Sequence, residues 1–168
     1  MTKPSLIEFH PDALQVLYRD LFVDHPNEGC ALLIGDQSDL LTEKASPILR
    51  ITVIWPCCNI WSSHFAGSKI FQDRLENFSL RDASRRNRFL IDPREQIHAQ
   101  KWSRDRNLYV FGSAHSHPKG PLIPSKMDKA IASKGSLMII ANEALDMRVW
   151  WFANEEGWLP QEVAYVSG

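Results

Sequence analysis

Apolar residues along the chain switch between helical and extended spacing, and the switches mark its elements. From Pro11 to Phe22, the residues Ala13, Leu14, Leu17, Tyr18, Leu21 and Phe22 recur at three- and four-residue intervals, which predicts a first amphipathic helix. Asp24, His25, Pro26 and Asn27 end it. The run Cys30 to Ile34 is continuously apolar and closed by Gly35 and Asp36, the pattern of a short strand buried on both faces. Ile48 to Trp55, rich in Ile, Val and Thr, predicts a second strand that Pro56 stops. Asp92-Pro93 reads as a helix cap followed by proline at the first helical position, and Glu95, Ile97, Ala99 and Trp102 carry that helix onward.

Leu108 to Ala114 is the next predicted strand. Strict alternation places Tyr109, Phe111, Ser113, His115 and His117 on one side if the chain stays extended. Pro118, Gly120, Pro121 and Pro124 then force a stiff loop, and Ser125 to Lys134 follows as a short helix with Met127, Ala130 and Ile131 inward and Gly135 at its stop. Leu137 to Ala141 and Met147 to Phe152 read as a hairpin, with Val163 to Val166 as a last strand. Helices and strands in this order predict an α/β fold: one layered domain over residues 1–168, with a mixed sheet flanked by helices.

Composition narrows the function classes. A formal net charge of −1 over 168 residues excludes a globally basic nucleic-acid binder. Charge is nevertheless uneven, because Arg81 to Arg106 holds eight basic and four acidic residues. No stacking-plus-basic motif accompanies those arginines, so no nucleic-acid partner is expected. No apolar stretch approaches the roughly 18 to 20 residues of a membrane span, and the first residues lack the pattern of a signal peptide. Three cysteines make no disulfide framework, and adjacent Cys57 and Cys58 lack metal-clamping spacing. The expectation is a cytoplasmic protein without a membrane partner, whose cysteines, like Trp150, Trp151 and Trp158, serve packing. Residues 60–87 are polar and weakly patterned, and are expected to form an excursion or lid.

His115-Ser116-His117 carries the candidate chemistry. Two imidazoles on one face at a strand end can bind one zinc ion. Asp128, eleven residues after His117 and on the first turn of the predicted helix, is the candidate third ligand, and three protein ligands plus a water make an open site of the catalytic kind. Hydrolysis at such a site needs a proton carrier, and Glu28 at the mouth of a buried strand is the candidate. Each residue also has a plainer explanation. Ser125 and Asp128 fit a helix capping box without any metal, Glu28 fits a solvated charge, and the histidines fit surface polarity.

Taken together, His115-Ser116-His117-Pro118 followed by Pro124-Ser125-Lys126-Met127-Asp128 resembles the signature of the JAMM (MPN+) metalloproteases, with every signature position filled. Pro26 to Gly35 resembles the family's N-terminal glutamate strand, and Arg88 to Pro93 resembles its lead into the middle helix. The resemblance implies a cytidine-deaminase-like fold with Zn2+ on His115, His117 and Asp128, Glu28 as general acid and base, and Ser125 as a donor to the oxyanion. It implies hydrolysis of an amide bond after the C-terminal glycines of a ubiquitin-like protein, with a bacterial sulfur-carrier type favoured. Ala31 stands where many relatives have glycine, and residues 60–87 are longer than in compact members, which fits a clamp for an acidic carrier, a lid, or a solvated irregular loop. The alternative is a catalytically idle MPN-like scaffold that recruits such partners. A nucleoside deaminase is set aside, since His-Ser-His and Pro-Cys-Cys-Asn replace the residues that chemistry needs.

Overall fold

The apolar stripe of the first helix is the surface on which the sheet closes. In the computed structural model, which describes residues 2–36, 47–62, 84–153 and 159–168, three helices and seven strands are seen among the described residues. The helices are α1 (Pro11–Leu21), α2 (Pro93–Arg104) and α3 (Lys126–Ile131); the strands are β1 (Leu6–Phe9), β2 (Cys30–Asp36), β3 (Ile48–Cys57), β4 (Tyr109–Ser116), β5 (Ser136–Ala141), β6 (Met147–Phe152) and β7 (Gln161–Ser167). Their order across the sheet is β1-β3-β2-β4-β5-β6-β7, and β1 closes it by pairing in parallel with both β3 and β7.

Closure corrects the expectation of a layered sheet flanked by helices. Four residues of β1, unannounced by any strong local pattern, hydrogen-bond on two sides and draw the ends of the sheet together. Ala13, Leu17 and Leu21 of α1 then pack in one cluster with Ile7, Leu33, Leu49, Ile139, Val149 and Val163 from the surrounding strands. Each such aliphatic side chain contributes on the order of 1.5 to 3 kcal/mol by leaving water. The opposite face of β2 is covered too: Cys30, Leu32 and Ile34 pack with Phe89, Ile91 and Ala99 under α2. β2 is therefore buried on both faces, as its unbroken apolar run predicts.

Three local expectations change. Pro56 lies inside β3 rather than ending it, opposite Ala31. β1 pairs with β3 only as far as Ile51, so among the described residues the Pro56 end of β3 is an edge, where a missing donor is tolerated. The alternation expected from Tyr109 to His117 is interrupted, because the β2–β4 register steps from Leu33↔Gly112 to Ile34↔Val110 and leaves Phe111 unpaired. That bulge sends Phe111 into the α1 cluster, while His115 stacks on Phe89 in the α2 cluster. The last helix is shorter than predicted. Ala132 turns extended (φ −58°, ψ 135°), so Gly135, at φ 71°, serves the turn into β5 instead of capping α3. Of the excursion expected at residues 60–87, residues 63–83 lie outside the described residues, as does Trp158.

Candidate metal centre

β4 ends beside the start of β2, and its last residues set the site. Cys30 pairs with His115 across the two strands. The neighbouring Gly29 lies so close to the end of α1 that a Cβ would stand 2.4 Å from the Leu21 carbonyl oxygen, which only glycine permits. Ser116, between the two histidines, binds this junction: its Oγ accepts from the Gly29 N–H (2.9 Å) and donates to the Leu21 carbonyl (3.0 Å). Because Ser116 is fully buried, both bonds form without competition from water. The backbone beside Glu28 is thereby fixed relative to His115 and His117.

The Pro/Gly loop after β4 is shaped by two carbonyls. Pro121 O accepts from His117 Nδ1 at 2.7 Å, and Leu122 O accepts from Trp150 Nε1 at 3.0 Å, so the loop is tied to the strand end and to β6. It delivers Ser125 to the start of α3. Ser125 Oγ accepts the Asp128 N–H (3.1 Å) and Asp128 Oδ2 accepts the Ser125 N–H (2.6 Å), a complete capping box. The capping explanation and the ligand explanation of Asp128 hold together, since the cap fixes one carboxylate oxygen while both face the histidines.

Three side chains converge. His115 Nε2 and His117 Nε2 are 3.0 Å apart, His115 Nε2 is 3.4 Å from Asp128 Oδ1, and His117 Nε2 is 3.5 Å from Asp128 Oδ2. A tetrahedral zinc ion with bonds of about 2.0 to 2.1 Å separates its donors by roughly 3.3 Å. The three ligand atoms, all within 4.8 Å of one another, fit that spacing. Protonation fits as well. The Pro121 carbonyl accepts the Nδ1–H of His117, so in the neutral ring the lone pair lies on Nε2. Burial lowers the pKa of His115 and keeps it neutral, despite the attraction of Asp128. Burial opposes charge on Asp128 also, but the two imidazoles and Ser125 outweigh it and hold the carboxyl well below the usual range. For His117, Asp128 and the Pro121 carbonyl outweigh burial, and the pKa rises.

Glu28 stands beside this group. It is 5% exposed, and its carboxyl is pushed up to about 8, chiefly by burial; the charge of Asp128 adds to the rise, and those of His117 and Arg88 reduce it. All five residues singled out by the sequence, Glu28, His115, His117, Ser125 and Asp128, thus gather at one corner of the sheet. Two contributors carried no sequence signal. One is Ser116; the other is Asn59, whose Nδ2 donates to the carbonyls of Glu28 (2.8 Å) and Arg88 (2.9 Å), while Oδ1 accepts from the N–H groups of Trp61 (3.0 Å) and Leu90 (3.2 Å). One amide joins the Glu28 turn to the segment leading into α2.

Comparison with known proteins gives the fold and the family. Among solved structures, a protein from Desulfitobacterium hafniense superposes with a TM-score of 0.69 at 21% identity, covering 96% of this chain and 92% of the other. One from Salinibacter ruber superposes at 0.53 with 18% identity, over 96% and 99% of the two chains. Both share the fold. A JAB1/MPN domain protein from Archaeoglobus fulgidus also matches, with a TM-score of 0.48, 16% identity and coverage of 95% and 98%. A search of curated proteins finds no match. No helix among the described residues is long and apolar enough to cross a membrane. The family model of prokaryotic homologs of the JAB domain matches residues 10–153, which includes every residue of the site, and the chain belongs to that family.

Proposed function

We propose that the chain is a zinc-dependent metallopeptidase that hydrolyses an amide bond after the C-terminal glycines of a ubiquitin-like protein of the sulfur-carrier type. The observation that carries this reading is the convergence on one point of two imidazoles and a carboxyl whose pKa is held well below its usual range, beside a buried glutamate. His115, His117 and Asp128 would hold a zinc ion, which would supply Lewis-acid polarisation of the scissile carbonyl and a more acidic water. In its ionised form Glu28 would accept a proton from the attacking water and return it to the leaving amine, and burial raises its pKa and makes it the stronger base for that step. Ser125 Oγ accepts the Asp128 N–H and so keeps its own proton to donate to the developing oxyanion.

Family membership and the shape beside the site support this substrate class. His115 and Asp128 are buried while His117 is partly open, so access is narrow, and a Gly-Gly end carries no Cβ to obstruct it. A cleft of about 470 Å³ lined by Phe89, Ile91, Gln96, Val110, Ser113 and Ile131 lies between α2, β4 and α3, and suits the chain leading to the scissile bond.

The test is metal content of the wild type beside Asp128→Asn, followed by mass spectrometry of a ubiquitin-like carrier with a C-terminal extension, incubated with each. About one zinc per chain, lost in the variant, with cleavage after Gly-Gly by the wild type alone, is the expected result. Zinc binding without cleavage of any such carrier would overturn the substrate. Neither binding nor cleavage would favour the idle scaffold, with Ser125 and Asp128 serving α3 as its cap.

A further inference from the structure

The two histidines of the site are held in different ways. His117 is oriented by a hydrogen bond, Nδ1 donating to the Pro121 carbonyl. His115, 0% exposed, has no such partner among the described residues: its Nδ1 is buried there without a hydrogen bond. Ligand histidines are ordinarily fixed by a partner on the second ring nitrogen. At His115 a ring takes that place. Phe89 stacks on the imidazole with centroids 4.2 Å apart and planes at 21°.

We propose that Phe89 is the positioning residue of His115, its ring fixing the plane in which Nε2 faces His117 and Asp128, as the Pro121 carbonyl does for His117. This rests on the reading of His115, His117 and Asp128 as metal ligands. Phe89 is itself firmly placed. The residues on either side of it are tied to Asn59, which accepts the Leu90 N–H and donates to the Arg88 carbonyl. Ile60 N–H also donates to the Leu90 carbonyl (3.0 Å), and Ile91 bridges to Asn59. The same Asn59 amide donates to the Glu28 carbonyl, so the stacking ring and the candidate proton carrier share an anchor. Phe89 also lines the cleft between α2 and α3, which His115 does not. The ring therefore stands between the buried imidazole and the open space beside it.

An aliphatic side chain at position 89 can fill volume but cannot define a plane. Phe89→Leu separates these two roles, and Phe89→Tyr restores the ring. The full chain is titrated with Zn2+ against a chromophoric chelator, and the metal-free protein is followed by NMR of the imidazole protons, with thermal melting as a check on folding. In Phe89→Leu the metal affinity falls by about tenfold or more, the loss typical of removing a partner that orients a ligand, while Phe89→Tyr stays within about threefold of wild type. The His115 ring protons lose their ring-current shift in the leucine variant and keep it in the tyrosine variant, and the His117 Nδ1 proton is unmoved in both. Unchanged affinity in a folded Phe89→Leu, or weakened affinity with unmoved His115 signals, overturns the proposal. A wild type that binds no zinc removes the metal reading itself, and the proposal with it.

Discussion

The two faces of β2 and β4 are built on opposite principles. Toward α1, the closed sheet presents Leu33, Phe111 and Ala114 to a cluster drawn from all seven strands and the helix, in which no single contact defines the arrangement. Toward α2, the same strands present Cys30, Leu32 and His115 to a smaller cluster, and the geometry there depends on individual bonds: the Ser116 junction, the Pro121 carbonyl, the Asn59 amide and the Ser125–Asp128 box. The first face is redundant and supplies stability; the second is singly determined and positions chemistry. They meet at one buried polar joint, where Ser116 on β4 donates to the Leu21 carbonyl at the end of α1.

Removing one atom-for-atom feature of the site face produces the largest expected effect on activity. Glu28→Gln is expected to keep the shape and any bound zinc but to remove the proposed proton carrier, so turnover falls by about 10²- to 10⁴-fold. Cleavage at the wild-type rate by this variant, measured by mass spectrometry on the same carrier, would place the base elsewhere. On the inner face the consequence is inverted. Leu17→Ala, at a fully buried position of α1, costs about 2 to 5 kcal/mol of stability in chemical denaturation. At a temperature where it remains folded, zinc affinity stays within about twofold of wild type, because distant sites without shared partners act additively. A large loss of affinity there would break the comparison and mean that the Ser116 joint transmits packing changes into the site.

The same contrast explains what the sequence discloses. The candidate ligands His115, His117 and Asp128, which the fold brings together, form a local motif, and α1, β2, α2 and the β5–β6 hairpin are legible because each is a local pattern too: a spacing, an apolar run or a cap. β1 is not, since Leu6 to Phe9 is held by parallel pairing with Ile48 to Ile51 and Ala164 to Ser167, residues far away in sequence. Closure of the sheet follows from that strand and was lost with it. The bulge at Phe111 has the same origin, because its register is set by β2 and not by the alternation of β4 itself. The roles of Phe89, Ser116 and Asn59 are hidden for a related reason: what a phenylalanine, a serine and an asparagine hold in place shows only when tertiary contacts give them partners.

One residue of α1 departs from the apolar rule of its face and sharpens the comparison at small cost. Asp20 has a carboxyl oxygen, Oδ2, buried without a hydrogen-bond partner among the described residues. Burial raises its pKa from 3.8 to about 6, only partly opposed by Arg19. A folded-state pKa above the unfolded one means that the native protein binds this proton more tightly. The associated stability is complete below about pH 4 and is lost as pH rises through about 6, leaving the cost of a half-buried carboxylate at neutral pH. A fully sheltered group with this change would account for roughly 3 kcal/mol; water reaching the half-buried carboxyl reduces it to about 1 kcal/mol. Asp20→Asn removes that dependence, and the other titrating groups cancel when the two proteins are compared at each pH. Urea midpoints taken from pH 4 to pH 7.5 are therefore expected to diverge, the variant gaining about 1 kcal/mol on wild type toward neutral pH. Parallel profiles would show that Asp20 is solvated in both states, and that the end of α1 is as open to water as the site face is closed to it.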